Sequence, residues 1–267
     1  MKASQAKRTP HFSNLATVVS TAVIAYAAAD VVHELVGHAL IAALVGVKAL
    51  SISSVALQTS ETSRIVAAAG TTANVFSGVA ALVWTARAAR FNASQYCLWL
   101  FGVVSVMNSG YLIFSAVLES GDWAVVIAGL APSWAWRLGL AATGGILYAV
   151  AISLATRTVA GWVRANGVSI EDVQRLTVSS YVAGGTLLTL ASALNPIGLQ
   201  LVLVSGVGAS FGLTWGLLLV PRMVASHTRT QAAGAKALDL QPSWIAAAVL
   251  VAVAFVCVLG PGIRLSR

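Results

Sequence analysis

Long apolar runs separated by short polar breaks dominate the pattern of this chain. Runs long enough to cross about 30 Å of hydrocarbon cover residues 15–47, 65–86, 96–118, 134–155, 178–194, 199–220 and 244–259. The pattern predicts an all-α fold, a polytopic integral membrane helix bundle of six or seven transmembrane helices. We expect a single membrane domain over residues 1–267, with a core of three spans in about 14–125 and additional spans in about 126–267.

The polar breaks carry their own signals. Residues 156–177 form a hydrophilic interval, in which Ser169, Glu171 and Asp172 are typical of a helix start. We expect a short amphipathic linker helix there, at the membrane surface. Asn195-Pro196 separates the fifth and sixth spans, and Pro221 ends the sixth.

Composition agrees with a membrane protein. Hydrophobic residues make up 58% of the chain and charged residues only 9%. The net charge is +8, and most of the 16 lysines and arginines fall in segments that are cytoplasmic if the N-terminus is cytoplasmic. We therefore expect a multi-pass protein of a bacterial cytoplasmic membrane, with its N-terminus inside. Because the basic residues are scattered over short loops, nucleic acid is not expected as a partner.

The first span contains the polar motif HELVGH, from His33 to His38. Charged groups are costly in a hydrocarbon-length segment, so such a cluster indicates a functional site. Zinc hydrolases use neutral imidazoles as ligands and a carboxylate that takes a proton from water. His33 and His38 are the candidate ligands of Zn²⁺, and Glu34 is the candidate general base.

The spacing of the two histidines is unusual for such a site. Zinc-binding helices commonly carry HExxH, with the histidines four residues apart on one face. Here they are five apart, which in a regular α-helix separates the rings by about 140°. A π-bulge would absorb the extra residue, and Gly37 suits that distortion because it has no Cβ. We therefore predict a one-residue bulge at Gly37.

HELVGH resembles the HExxGH motif of the dipeptidyl peptidase III family, in which both histidines bind zinc. Residues of about 20–125 resemble the intramembrane site-2 protease family, whose histidine-glutamate motif is followed by a GxxxN element and a later aspartate. Here Gly70–Asn74 and Asn108–Asp122 stand in those places. The resemblance implies that Asp122 is the third metal ligand, and that Asn74 and Asn108 bind substrate.

This sequence also departs from the site-2 protease pattern. HExxxH replaces HExxH, and Thr71 replaces the proline that commonly follows the first glycine of GxxxN. Asp122 lies in Gly-Asp-Trp rather than in Leu-Asp-Gly. These departures affect the third ligand more than the motif itself.

Several assignments remain open at this point. Glu119 is an alternative metal ligand. Asp30, one turn before His33, is a candidate to hydrogen-bond that ring and fix its tautomer, or it lies on a polar face without metal. Asn74 and Asn108 are equally compatible with hydrogen bonds between helices.

A structural role for the whole cluster is a further alternative. His33, Glu34 and His38 would then form a buried polar network that joins helices, and Asp122 would be an acid of an interfacial loop. Burying an ionised glutamate without a partner or a metal costs on the order of several kcal/mol. That cost favours a metal site.

The leading hypothesis is an intramembrane zinc metalloprotease that hydrolyses peptide bonds of membrane-protein substrates near the outer leaflet of the lipid bilayer. A zinc-dependent hydrolase of lipid amides or esters is one alternative. A non-enzymatic metal-binding membrane protein or transporter is another.

Overall fold

The computed structural model describes residues 12–88, 90–196, 198, 202–227 and 237–265. Predictions that fall on residues 1–11, on the start of the sixth run at 199–201, or on 228–236 lie outside this part. The fold is an all-α bundle, and seven helices are long and apolar enough to cross a membrane. They are α1 (Leu15–Val45), α2 (Arg64–Arg87), α3 (Ala93–Leu118), α5 (Ser133–Asn166), α6 (Ile170–Ala193), α7 (Gly206–Ser226) and α8 (Pro242–Leu259).

The hydrophilic interval over residues 156–177 is not a separate linker helix, so that prediction is wrong. Helix α5 continues to Asn166, and α6 begins at Ile170. The predicted helix start is confirmed, because Ser169 Oγ accepts the backbone N–H of Asp172. Hydroxyl groups in the interval bond to the preceding turn, as Thr158 does with Leu154 O, which lets these polar positions remain helical and buried.

Helix α1 lies at the centre of the bundle and packs against α3, α6 and α8. Its first half is a regular α-helix, Leu15–Val31. The side chain of Tyr26 is fully buried and lies directly against Gly184 of α6, where no Cβ would fit. Gly185 makes the same kind of close contact with Phe211. These two glycines therefore let neighbouring helices approach closely.

The second half of α1 contains the predicted distortion. Residues Val32–Ala39 form a π-helix of eight residues, which is followed by a final α-helical segment, Leu40–Val45. The whole HELVGH motif lies in the π-helical segment. Because a π-turn brings residues five apart onto one face, the unusual histidine spacing matches the local backbone.

A small sheet lies beyond the C-terminal end of α1. Strand β1 (Ala49–Ile52) pairs antiparallel with β2 (Leu57–Thr59) and with β3 (Ile263–Arg264), in the order β2-β1-β3. No strand was predicted from the sequence for any of these three segments. Strand β2 is at the edge of the sheet, so one side of its backbone has no strand partner among the described residues.

The connection after α3 turns sharply. Glu119 ends the helix with φ +53°, and Gly121 adopts φ +82° before a short helix α4, Asp122–Ile127. Helix α4 packs against α2, α3 and α5. This turn places Asp122, at the start of α4, next to the second half of α1.

Candidate metal centre

Three side chains converge where α1, α2 and α4 meet. His33 Nε2 lies 3.1 Å from His38 Nε2, and each of these atoms lies 3.3 Å from Asp122 Oδ2. The two rings are close to perpendicular, with centroids 4.7 Å apart. Within the described part of the chain, this is the group of histidine, cysteine and acidic side chains arranged to hold a metal ion.

The separations fit a metal ion. In a tetrahedral zinc site with bonds of about 2.0–2.1 Å, neighbouring donor atoms lie about 3.3–3.4 Å apart. The three observed separations are within a few tenths of an ångström of that spacing. Two imidazole nitrogens and a carboxylate oxygen suit zinc and related divalent metals. A metal ion held by these three side chains would keep a position for water or substrate, since no fourth histidine, cysteine or acidic side chain of the described residues joins the cluster.

The backbone of α2 determines which ring nitrogen of His38 carries the proton. His38 Nδ1 lies 2.7 Å from the carbonyl oxygen of Val66. A carbonyl oxygen only accepts, so Nδ1 carries the proton and Nε2 presents its lone pair toward the cluster. Such a hydrogen bond to the outer nitrogen is typical of metal-binding histidines.

Two glycines make room for the cluster. A Cβ at Gly70 would lie 2.6 Å from His33 Nε2 and closer still to His38 Nε2. A Cβ at Gly37 would lie 2.5 Å from the Cα of Gly70. Gly37 therefore serves the close approach of α1 and α2, and its φ is not left-handed. The distortion itself extends over eight residues rather than over one bulge at Gly37.

The electrostatics favour an ionised Asp122. Burial alone would raise the pKa of Asp122, but hydrogen bonds to His33 and then His38 outweigh it and hold the pKa below its ordinary value. The alternative ligand Glu119 lies elsewhere: its carboxylate is largely exposed and pairs with Arg137. The structure thus brings Asp122, and not Glu119, to the histidines.

Glu34 lies beside the His-His-Asp cluster in the same π-helical segment. Its side chain is buried, and Oε2 has no hydrogen-bond partner among the residues that the structure describes. It lines two cavities together with His33 and Tyr111. The larger cavity, of about 260 Å³, also includes Asp122 and the backbone turn of the hairpin at Leu57. A carboxylate in this position can exchange a proton with a group bound in the larger cavity.

The smaller cavity, of about 50 Å³, lies on the bundle side of the motif. Asp30, Asn74 and Asn108 all line it. Asp30 interacts with Glu34 through charge, and no hydrogen bond of the described residues joins it to His33. The polar group next to His33 Nδ1 is Asn74, at 3.5 Å. Asn108 lies at the break in α3, between Met107 and Gly110.

Some features of the site have no signal in the linear sequence. Tyr111 is an ordinary aromatic residue of an apolar run, yet its ring centroid lies 6.0 Å from that of His33. The hairpin and the Val66 carbonyl contribute backbone groups, which any residue type could supply. The steric role of Gly70 becomes evident only when the position of the imidazoles is known.

Comparison with protein-family models, with curated proteins and with solved structures finds no match for this chain. The fold and the site define a multi-pass helical membrane protein with a His-His-Asp cluster able to hold a metal ion.

Proposed function

We propose that the protein is an intramembrane zinc metallopeptidase. The observation that carries the proposal is the convergence of His33 Nε2, His38 Nε2 and Asp122 Oδ2, with the Oε2 atom of Glu34 next to them, buried and without a hydrogen bond to any described residue. In a purely structural polar network, the buried hydrogen-bonding groups would pair with one another. This cluster instead leaves a general base beside three metal donors.

A zinc ion held by these three residues would supply a Lewis acid for the substrate carbonyl and would acidify water. Glu34 removes a proton from the attacking water and later delivers it to the leaving nitrogen of the cleaved peptide bond. Burial of His33 and His38 excludes bulk solvent from this reaction. The remaining chain positions these groups, chiefly through the close packing of α2 against α1.

An extended peptide is the substrate class that the surroundings favour. Leu57 and Thr59 of the edge strand β2 line the larger cavity beside Glu34 and Asp122. An edge strand can bind an extended segment through backbone hydrogen bonds. An intact helix hides its carbonyl groups in internal hydrogen bonds, so a membrane-spanning substrate would unwind locally to reach the site.

The distribution of charge suggests where the site faces. With a cytoplasmic N-terminus, as the lysines and arginines favour, α1 runs outward and carries HELVGH in its outer half. We propose that cleavage takes place near the outer leaflet of a bacterial cytoplasmic membrane.

Metal analysis and a cleavage assay test the proposal together. The wild-type chain and Glu34→Gln are purified, their zinc and iron contents are measured, and each is reconstituted in liposomes with a pool of single-span membrane proteins. New N-termini are then identified by mass spectrometry. We expect about one zinc per chain in both proteins and cleavage by the wild type alone.

Three results would contradict the proposal. Stoichiometric iron instead of zinc would indicate a different chemistry for the same two histidines and carboxylate. The absence of bound metal would favour a structural network. Equal cleavage by Glu34→Gln would exclude Glu34 as the general base.

A further inference from the structure

The two metal-binding histidines differ in what lies at their outer nitrogen. His38 Nδ1 bonds to a backbone carbonyl oxygen, which fixes its proton there. His33 Nδ1 instead lies 3.5 Å from the Nδ2 atom of Asn74. A side-chain amide carries both donors and an acceptor, so the tautomer of His33 depends on which end of Asn74 faces it.

The other end of the same amide has no partner. Asn74 is 1% exposed, and its Oδ1 atom is buried without a hydrogen bond. An unpaired buried carbonyl oxygen is costly. Rotation of the amide by about 180° turns Oδ1 toward His33 Nδ1. The Oδ1 atom then accepts a hydrogen bond from Nδ1–H of His33.

The two amide orientations correspond to two states of His33. With Nδ2 donating, His33 Nδ1 accepts, and the ring proton is on Nε2, where it can be donated to Asp122 Oδ2 at 3.3 Å. With Oδ1 accepting, the proton is on Nδ1, and Nε2 is free to bind a metal. An asparagine can serve both states, whereas a backbone carbonyl serves only the second.

We propose that Asn74 is a positioning residue, which holds His33 in the metal-binding tautomer and changes its amide orientation when the metal enters or leaves. This inference rests on the proposed metal site. It differs from the substrate-binding role implied by the GxxxN resemblance, since here Asn74 acts on the ligand His33 and not on a peptide. Asp30, the other candidate for this role, has no hydrogen bond to His33 among the described residues.

The test measures zinc affinity by competition with a chromophoric chelator. Asn74→Leu preserves the approximate size of the side chain but removes both amide groups. Loss of such an outer hydrogen bond typically weakens metal binding 10–100-fold, and we expect a decrease in this range. Asn74→Asp retains an acceptor for the His33 Nδ1 proton, so its zinc affinity should stay within a few-fold of wild type.

Asn108→Leu is the matched control. Asn108 lines the same cavity and also has an Oδ1 atom without a partner among the described residues, but no hydrogen bond of the described residues joins it to His33. Its zinc affinity should equal that of the wild type. Elution profile and thermal midpoint identify any variant that misfolds, and Asn74→Ala replaces Asn74→Leu if the leucine is not accommodated.

The outcomes separate this inference from the proposed function. A wild-type chain that binds no zinc overturns both. Wild-type zinc affinity in Asn74→Leu, or an equal decrease in Asn108→Leu, overturns only the role of Asn74. A raised KM with unchanged zinc affinity would assign Asn74 to substrate binding instead. Weak zinc binding by Asn74→Leu with recovery in Asn74→Asp supports the inference.

Discussion

Two buried polar clusters at opposite ends of α1 differ in how completely the protein satisfies them. Before the start of α1, Asp172 Oδ1 accepts the backbone N–H of Ser13 at 2.9 Å, and Oδ2 accepts its hydroxyl at 2.6 Å. The Ser13 hydroxyl in turn accepts the backbone N–H of Leu238. This cluster joins three parts of the chain with groups that the chain itself provides.

The cluster in the second half of α1 is open by comparison. Three atoms suited to bind a metal face one another there, and Glu34 Oε2 and Asn74 Oδ1 are buried without partners. Buried polar groups are normally paired within a folded protein. The first cluster satisfies its own hydrogen-bonding groups and stabilises the fold, whereas the second leaves polar atoms unpaired among the described residues, which is typical of a ligand-binding site. Asp172 is buried, and Asp122 is half-buried.

Among variants that test this difference between the two clusters, Gly70→Ala is expected to have the largest effect, on zinc binding. The added Cβ would collide with both Nε2 atoms, so the imidazoles could not keep their positions. We expect loss of zinc binding and of peptidase activity while the bundle remains folded. Gly145→Ala is the control, because its Cβ would meet no atom within 4 Å. Zinc content near one per chain in Gly70→Ala would show that the imidazoles lie elsewhere.

A smaller effect, on stability alone, is expected from Asp172→Ala. The change leaves the buried N–H and hydroxyl of Ser13 without their acceptor, which typically costs about 1–3 kcal/mol. The thermal midpoint in detergent should fall while zinc affinity stays unchanged. A decrease in zinc affinity as large as that of Asn74→Leu would mean that the two clusters are not independent.

The smallest effect is expected from Glu119→Gln. Its ion pair with Arg137 is largely exposed, and such pairs contribute about 0–1 kcal/mol. Neither zinc affinity nor cleavage should change measurably. A pronounced loss of zinc would restore Glu119 as a ligand and would contradict the position of Asp122 in the cluster.

The local pattern of the sequence predicted much of this molecule. Lengths of apolar runs predicted a bundle of six or seven membrane-spanning helices, because crossing hydrocarbon requires a minimum number of apolar residues, and the described residues contain seven such helices. The five-residue spacing of His33 and His38 predicted a π-helical distortion, which Val32–Ala39 confirms. Such features depend on neighbouring residues of one helix, so they can be recognised without knowledge of the rest.

Other predictions failed because burial depends on tertiary packing. The interval over residues 156–177 contains enough polar residues to be typical of a surface helix. Packing of α5 and α6 instead buries side chains such as Val163 and Val173. The three-stranded sheet beside the site escaped prediction for a similar reason, since strand β3 comes from residues more than two hundred positions after β1.

The sequence by itself determined that six or seven helices span the membrane, where the polar motif lies and that the motif requires a distortion. Tertiary structure decided which acid joins the two histidines, because Glu119 and Asp122 are three residues apart and only the turn at Gly121 directs one of them toward α1. It also decided the neighbour of His33. Helix packing places Asn74 there, whereas sequence spacing alone had made Asp30 a candidate.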